Sequence, residues 1–230
     1  MNIRQFRYGS DNFSYLVYGN HSALVIDGGA VESILDFVQQ NHLNLSWTTH
    51  THNHPDHTSG TRSLMERSGA VLLDDVFNHP NINLDGEIMQ VYPAPGHTDD
   101  SVVFHFDRYL ISGDTLFNGT IGNCFSGNLD AYYRSIRFLM EFPPDTIVYA
   151  GHDYVEYAMS FARLLESDHT DINRYLQSYE PNHVCSLLGD ELKVNPYLRF
   201  NDLRFIEILK KKGLPVSTEI ERWNSVMSLG

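Results

Sequence analysis

The feature that most narrows the fold is the string His52-Asn53-His54-Pro55-Asp56-His57, set in the polar run Thr48 to Thr61. That run holds no periodic apolar residue, and Pro55 interrupts it. It therefore predicts a loop that leads into a helix near Thr58 to Arg67. Five of the twelve histidines fall between His42 and His57, a concentration that packing does not explain and metal ligation does. In an extended loop, residues two apart share a side, so His52 and His54 can converge on one ion. Asp56 and His57 lie a step further on and can reach a second. A chain with this loop must fold so that more donors arrive from elsewhere.

Three isolated sites meet that demand: Gly96-His97 after Pro95, Gly113-Asp114 after Tyr109-Leu110-Ile111, and Gly151-His152 after Ile147-Val148-Tyr149. Each donor follows a predicted strand or loop end, with a glycine before it that permits a sharp turn and close backbone approach. Strand ends would then share one edge of a sheet. Asp114 could bridge two ions, leaving His97 to complete the first site and His152 the second, each with an open position for chemistry.

Around these donors the periodicity alternates between two and 3.6. Phe13 to Tyr18 and Ala23 to Ile26 read as a hairpin about Gly19-Asn20, Val31 to Gln40 as a helix, and Leu43 to Trp47 as a strand. Further strands are expected at Ala70 to Leu73, Glu87 to Tyr92, Ser101 to Phe106 and Tyr109 to Ser112. Helices are expected at Leu129 to Glu141 and Tyr154 to Leu165. In the latter, Tyr157, Ala158, Phe161, Ala162 and Leu165 form a core-facing stripe. From Asp168 the chain reads as predominantly helical, with Leu203 to Lys212 and a final helix opened by the capping box Thr218 to Glu221.

At 230 residues the chain can bury a sizeable core without disulfides, and Cys124 and Cys185 offer neither a disulfide framework nor a cysteine metal cluster. Cys124 reads as a partly buried, inert thiol. The formal charge of -13 disfavours nucleic acid and anionic membranes. The one basic run, Lys210-Lys211-Lys212, precedes Gly213 and is explained as a helix C-terminus. The N-terminal residues lack an apolar signal region and no stretch approaches a membrane span, so a cytoplasmic location is expected.

The pattern His52-x-His54-x-Asp56-His57, Gly-His97, Gly-Asp114 and Gly-His152 resembles the metallo-β-lactamase superfamily, and most closely its glyoxalase II (hydroxyacylglutathione hydrolase) branch. The likeness extends to Asp11-Asn12-Phe13-Ser14-Tyr15-Leu16-Val17, Gly113-Asp114-Thr115-Leu116-Phe117, Gly151-His152-Asp153-Tyr154 and Asn195-Pro196-Tyr197-Leu198-Arg199. It implies an α/β fold, a four-layer αβ/βα sandwich over residues 1–167 with the metals at one sheet edge. A helical C-terminal domain, 168–230, would help to form the substrate site. It also implies two divalent ions held by His52, His54, Asp56, His57, His97, Asp114 and His152, with zinc the first expectation and iron or manganese alternatives. The Asp-His pair sets the register, so His50 and Asp27 are expected to support the loop and not to ligate.

Two such ions supply a nucleophile from water at neutral pH and polarise a substrate carbonyl. The resemblance gives Asp56 a second role, orienting the attacking water and taking its proton, and makes a small-molecule thioester the expected substrate. Tyr154 matches the family's substrate-contacting tyrosine. Asn123 and Phe125 stand where glyoxalase II enzymes present a lysine and a tyrosine to glutathione, and the basic tail is replaced by Glu221-Arg222-Trp223-Asn224. No lysine precedes Lys193, which leaves Arg134 or Arg137 as substitutes. Weak activity on S-lactoylglutathione is therefore expected. Hydrolysis of another ester, a lactone or a phosphodiester is the alternative. A mononuclear iron persulfide dioxygenase is a further one, although its arginine-containing segment after the Gly-Asp motif is absent.

Overall fold

The computed structural model describes residues 1–229 and arranges their strands in two sheets. The first holds β1 (Asn2–Tyr8), β2 (Asn12–Tyr18), β3 (Ser22–Ile26), β4 (Asn44–Thr49) and β5 (Val71–Leu72) in sequence order, antiparallel up to β3 and parallel beyond it. The second runs from β6 (Asn81–Leu84) through β7 (Glu87–Pro93), β8 (Val102–Phe106), β9 (Tyr109–Gly113) and β10 (Ile147–Ala150) to β11 (Ser186–Leu187). Its strands are antiparallel except for β9 and β10, which run parallel and so end at the same edge.

The period of two along each strand sorts its side chains into layers. Phe13, Tyr15 and Val17 of β2 meet Val91, Phe104, Ile111 and Tyr149 of the second sheet in the core between the sheets. Leu16 and Val25 point the other way, against Ile34 and Val38 of α1 (Val31–Gln40), with Leu64. Val103, Leu110 and Val148 cover the far side of the second sheet and meet Tyr132, Ile136, Leu139, Phe205 and Trp223. Each fully buried side chain of this size contributes about 1.5–3 kcal/mol. The result is the four-layer αβ/βα sandwich.

The histidine string runs from the loop after β4 into the first of two short helices, α2 (Pro55–Thr58) and α3 (Thr61–Ser68), in place of the single helix expected from Thr58. The break falls at Gly60, where a Cβ would lie 1.9 Å from the Gly28 carbonyl oxygen. Close contact with that loop leaves room only for glycine there. The remaining helices are α4 (Leu129–Leu139), α5 (Val155–Leu165), α6 (Thr170–Ser178), α7 (Leu188–Val194), α8 (Leu203–Lys211) and α9 (Glu219–Met227). Thr218 and Glu221 form the expected capping box, and Lys210 and Lys211 close α8 ahead of Gly213.

Two strands add to the sequence reading, and one helix face differs from it. Edge strand β1 is held in register by β2, and the Gln5 side chain bonds both backbone groups of Val184, at 2.8 and 2.9 Å. β6 pairs with β7 across Asp85-Gly86, both with positive φ as a two-residue hairpin requires. The segment from Asp168 is predominantly helical, and its one short strand, β11, extends the second sheet; its last residue, Gly230, lies outside the described residues. In α5, Tyr157 is 75% exposed, since Val155 and Met159 turn inward beside Ala158 and Ala162.

Candidate metal centre

The site forms where the two sheets meet. The Phe13 N–H donates to the Gly151 carbonyl at 2.9 Å, and the Val102 N–H to the Thr51 carbonyl at 2.8 Å, which ties the start of β2 and the histidine loop to the second sheet. The Gly151 N–H in turn donates to the Gly113 carbonyl at 2.9 Å. Asp114 and His152 thereby leave the adjacent parallel strands β9 and β10 side by side. A Cβ at Gly151 would stand 2.1 Å from Asp114 Oδ1 and 2.9 Å from His57 Cε1, so only glycine lets these donors close up.

The seven residues singled out in the sequence gather into two adjoining groups: His52, His54, His97 and Asp114 in one, Asp56, His57 and His152 in the other. His54 Nδ1 lies 2.9 Å from His52 Nε2 and 3.1 Å from His97 Nε2. His57 Nε2 lies 3.3 Å from His152 Nε2, and Asp56 Oδ2 is 3.4 Å from the latter. Donors about 2.0–2.1 Å from a tetrahedral ion stand roughly 3.3 Å apart, so both groups have the spacing of a ligand shell. Asp114 reaches both. Its Oδ1 is 3.4 Å from His57 Nε2, and its Oδ2 is 3.4 Å from His152 Nε2 and 3.5 Å from His97 Nε2. Oδ1 is buried without a hydrogen-bond partner, an arrangement that a cation satisfies.

The far nitrogens decide which lone pairs face inward. His97 Nδ1 donates to the Asn123 carbonyl at 2.9 Å, and His152 Nδ1 to Asp11 Oδ1 at 3.0 Å. Buried Asp27 accepts from the Thr51 N–H and hydroxyl, each at 2.8 Å, and from His57 Nδ1 at 2.9 Å. With its proton committed to Asp27, the Thr51 hydroxyl accepts from His52 Nδ1 at 3.0 Å. Nε2 of His52, His57, His97 and His152 is thus left to point into the centre. Asn12 Nδ2 donates to Asp56 Oδ2 at 2.9 Å. Asp11, Asn12 and Thr51 have roles that periodicity and spacing did not reveal. The first two lie in the Asp-Asn-Phe motif, which was their only signal.

Charge differs between the two groups. Burial, with the neighbouring His57, pushes His52 down to about 4, and burial also lowers His97. Burial opposes charge on His57 too, but the carboxylates of Asp27 and Asp114 win and raise it to about 11. His152 likewise rises against its burial, through Asp114 and Asp11. Asp114 is held well below the carboxylate range despite burial, by the His152 and His57 imidazoles beside it. A metal ion held by His57 would therefore have to displace a proton from that imidazole, whereas His52 offers a neutral one.

His50 joins neither group; its Nε2 lies 3.2 Å from Thr61 Oγ1. Tyr154 stacks on His152 at 5.2 Å with ring planes 3° apart, and Phe117 meets both rings edge-on. Phe125 is 65% exposed, its ring 5.6 Å from that of His54 and 5.2 Å from that of His97. Asn123 contributes its carbonyl to His97, while its side chain is exposed beside a cavity. Arg137 pairs with Glu219 at 3.2 Å and is not free to replace a lost cation.

A two-sheet sandwich with paired histidine and aspartate clusters at one edge defines a metallo-hydrolase architecture. A family model described as the metallo-beta-lactamase superfamily matches residues 7–73 and 74–152, and the chain belongs to that superfamily. Within it, the chain is similar to proteins named hydroxyacylglutathione hydrolase. It is 28% identical to that of Pseudoalteromonas translucida, over 99% of this chain and 96% of the relative. It is 32% identical to that of Anaeromyxobacter dehalogenans, over 85% and 84%. Among solved structures, ETHE1 from Myxococcus xanthus superposes with a TM-score of 0.69 at 24% identity, covering 98% of this chain and all of that one, and shares the fold. No helix among the described residues is long and apolar enough to cross a membrane.

Proposed function

We propose that this protein is a dinuclear metal-dependent thioester hydrolase, with one ion held by His52, His54 and His97, the other by Asp56, His57 and His152, and Asp114 shared between them. The observation that carries the reading is the pair of donor groups joined by Asp114, whose buried Oδ1 has no other partner. Similarity to hydroxyacylglutathione hydrolases supports a thioester as substrate. Donors of this kind suit zinc, iron and manganese alike, with zinc the first to test.

When bound, the two ions lower the pKa of water and polarise the substrate carbonyl. The chain's own groups do the rest. Asp56 is ionised at neutral pH, since the Asn12 hydrogen bond and His57 hold it down against its partial burial. About half of its side chain faces solvent, so it can orient the attacking water and accept its proton. Tyr154 and Phe125 line the approach with aromatic faces that exclude water and position the substrate. Residues 1–167 supply the metal donors, and 168–230 serve as the substrate-site domain, contributing Tyr197 and Asn224 to the cavity beside Asn123.

Chelation followed by restoration with zinc, iron or manganese tests the reading. Thioesterase activity should vanish and return, with two metal equivalents per chain at full activity. Activity that survives metal removal would sink it. Turnover of only lactones, phosphodiesters or a persulfide, the last with oxygen uptake, would replace the thioester by that substrate.

A further inference from the structure

The segment from Asp114 to Asn123 doubles back on itself as a tight hairpin. Leu116 and Ile121 form an antiparallel bridge, and the Phe117 N–H donates to the Thr120 carbonyl at 3.0 Å, so Asn118 and Gly119 make the tip. Both legs end in the metal centre. The first starts at Asp114, which reaches both donor groups, and carries Phe117, whose ring lies 5.9 Å from that of His152 and 5.0 Å from that of Tyr154. The second ends at Asn123, whose carbonyl accepts from His97 Nδ1 at 2.9 Å. Just before it is Gly122, where a Cβ would stand 2.1 Å from the Asp114 carbonyl oxygen and 2.7 Å from His97 Nδ1. A shift of this hairpin therefore reaches both groups.

The tip is gripped by residues far along the chain. Asn118 Nδ2 donates to Ser186 Oγ at 2.7 Å and to the Val148 carbonyl at 3.1 Å. The Gly119 N–H donates to Glu191 Oε2 at 2.8 Å, and the Thr120 carbonyl accepts from Asn195 Nδ2 at 3.0 Å. Glu191, fully buried in α7, joins these contacts: Oε2 also accepts from Asn195 Nδ2 at 3.2 Å, and Oε1 accepts from the Ser186 and Tyr175 hydroxyls. Removing that carboxyl would leave buried donors on both sides of the contact without an acceptor.

We infer that Glu191 is a positioning residue for the metal centre, and that through its grip on the 116–121 hairpin residues 186–195 fix the spacing of donors in both groups. The inference rests on the dinuclear metal reading above and is independent of the substrate. Glutamine can keep the grip, because its carbonyl oxygen can accept from Gly119 and Asn195 while its amide donates to the rotatable hydroxyls of Tyr175 and Ser186. Alanine cannot.

Competition of the apo protein with a chromophoric chelator for zinc measures the two affinities without turnover. Glu191→Ala should weaken both by roughly tenfold or more, the cost of losing an outer-shell support, and Glu191→Gln should keep both within about threefold of the parent. Ile34→Ala, which opens a cavity between α1 and the first sheet, should lower stability in urea and leave both affinities in place. Unchanged affinities in Glu191→Ala, with only its stability lowered, would overturn the inference and leave the metal reading intact. A loss in Glu191→Gln or Ile34→Ala as large as in Glu191→Ala would overturn it too. A parent protein that holds no zinc would remove the metal reading and this inference with it. Should Glu191→Ala fail to fold, Asn195→Ala carries the test through the lost bond to the Thr120 carbonyl. A severalfold loss at both sites is then expected, and unchanged affinities would count against the inference.

Discussion

Asp27→Asn is the most informative single change, because one buried carboxylate orients a proposed ligand in each metal group. Asp27 Oδ2 accepts from His57 Nδ1 and from Thr51 Oγ1, which in turn accepts from His52 Nδ1. An amide nitrogen at that position would face the His57 N–H. The ring can relieve the clash by moving its proton to Nε2, but this blocks the lone pair that points into the centre. A hydrogen bond to a charged group is worth about 1.5–3 kcal/mol, and each 1.4 kcal/mol is tenfold, so affinity at the His57 site should fall roughly 10- to 150-fold. The His52 group is reached only through the rotatable Thr51 hydroxyl, and its loss should stay below about tenfold. Competition of the apo protein with a chromophoric chelator resolves the two affinities, and thermal unfolding of the apo form checks that the fold persists. Two affinities within threefold of the parent would refute the reasoning, as would a loss confined to the His52, His54 and His97 group.

Three other outcomes follow from the same geometry. His57, raised from 6.5 to about 11 in the metal-free chain, stabilises that form fully below pH 6.5 and ceases to do so as pH rises through 11. Metal binding at neutral pH must therefore expel its proton, so affinity should rise with pH; calorimetry in buffers of different ionisation enthalpy should show about one proton released at that site, and none would contradict the assignment. Gly151→Ala places a methyl 2.1 Å from Asp114 Oδ1 and should cost at least tenfold in metal affinity, with roughly 1–3 kcal/mol of strain in urea unfolding. Arg199→Ala strips buried Glu166 of its buried partner but leaves Arg204 Nε 3.2 Å from it, so the protein should be destabilised by about 1–3 kcal/mol, measured by urea denaturation; no measurable change would mean that Arg204 alone compensates the charge.

Local order made much of this legible. The helix Val31 to Gln40, the capping box at Thr218, the close of α8 at Lys210 and Lys211, and the strands leading to Asp114 and His152 depend on neighbours within a few residues. Propensity and periodicity describe such elements well. The order of histidines and aspartates likewise carried the superfamily, and the structure draws those seven residues into two groups. What spacing could not reveal depends on partners far along the chain. Edge strand β1 is pinned by Val184, glycine at position 60 is required by the Gly28 carbonyl, and Tyr157 turns outward because Val155 and Met159 take its place in the core. The imidazole orientations are a further case, set by Asp11, Asp27, Thr51 and the Asn123 carbonyl. Chain order alone states which atoms are available to hold metal and in what succession they come. The direction of their lone pairs depends on hydrogen bonds and packing between segments far apart along the chain, and so is visible only once the two sheets have met.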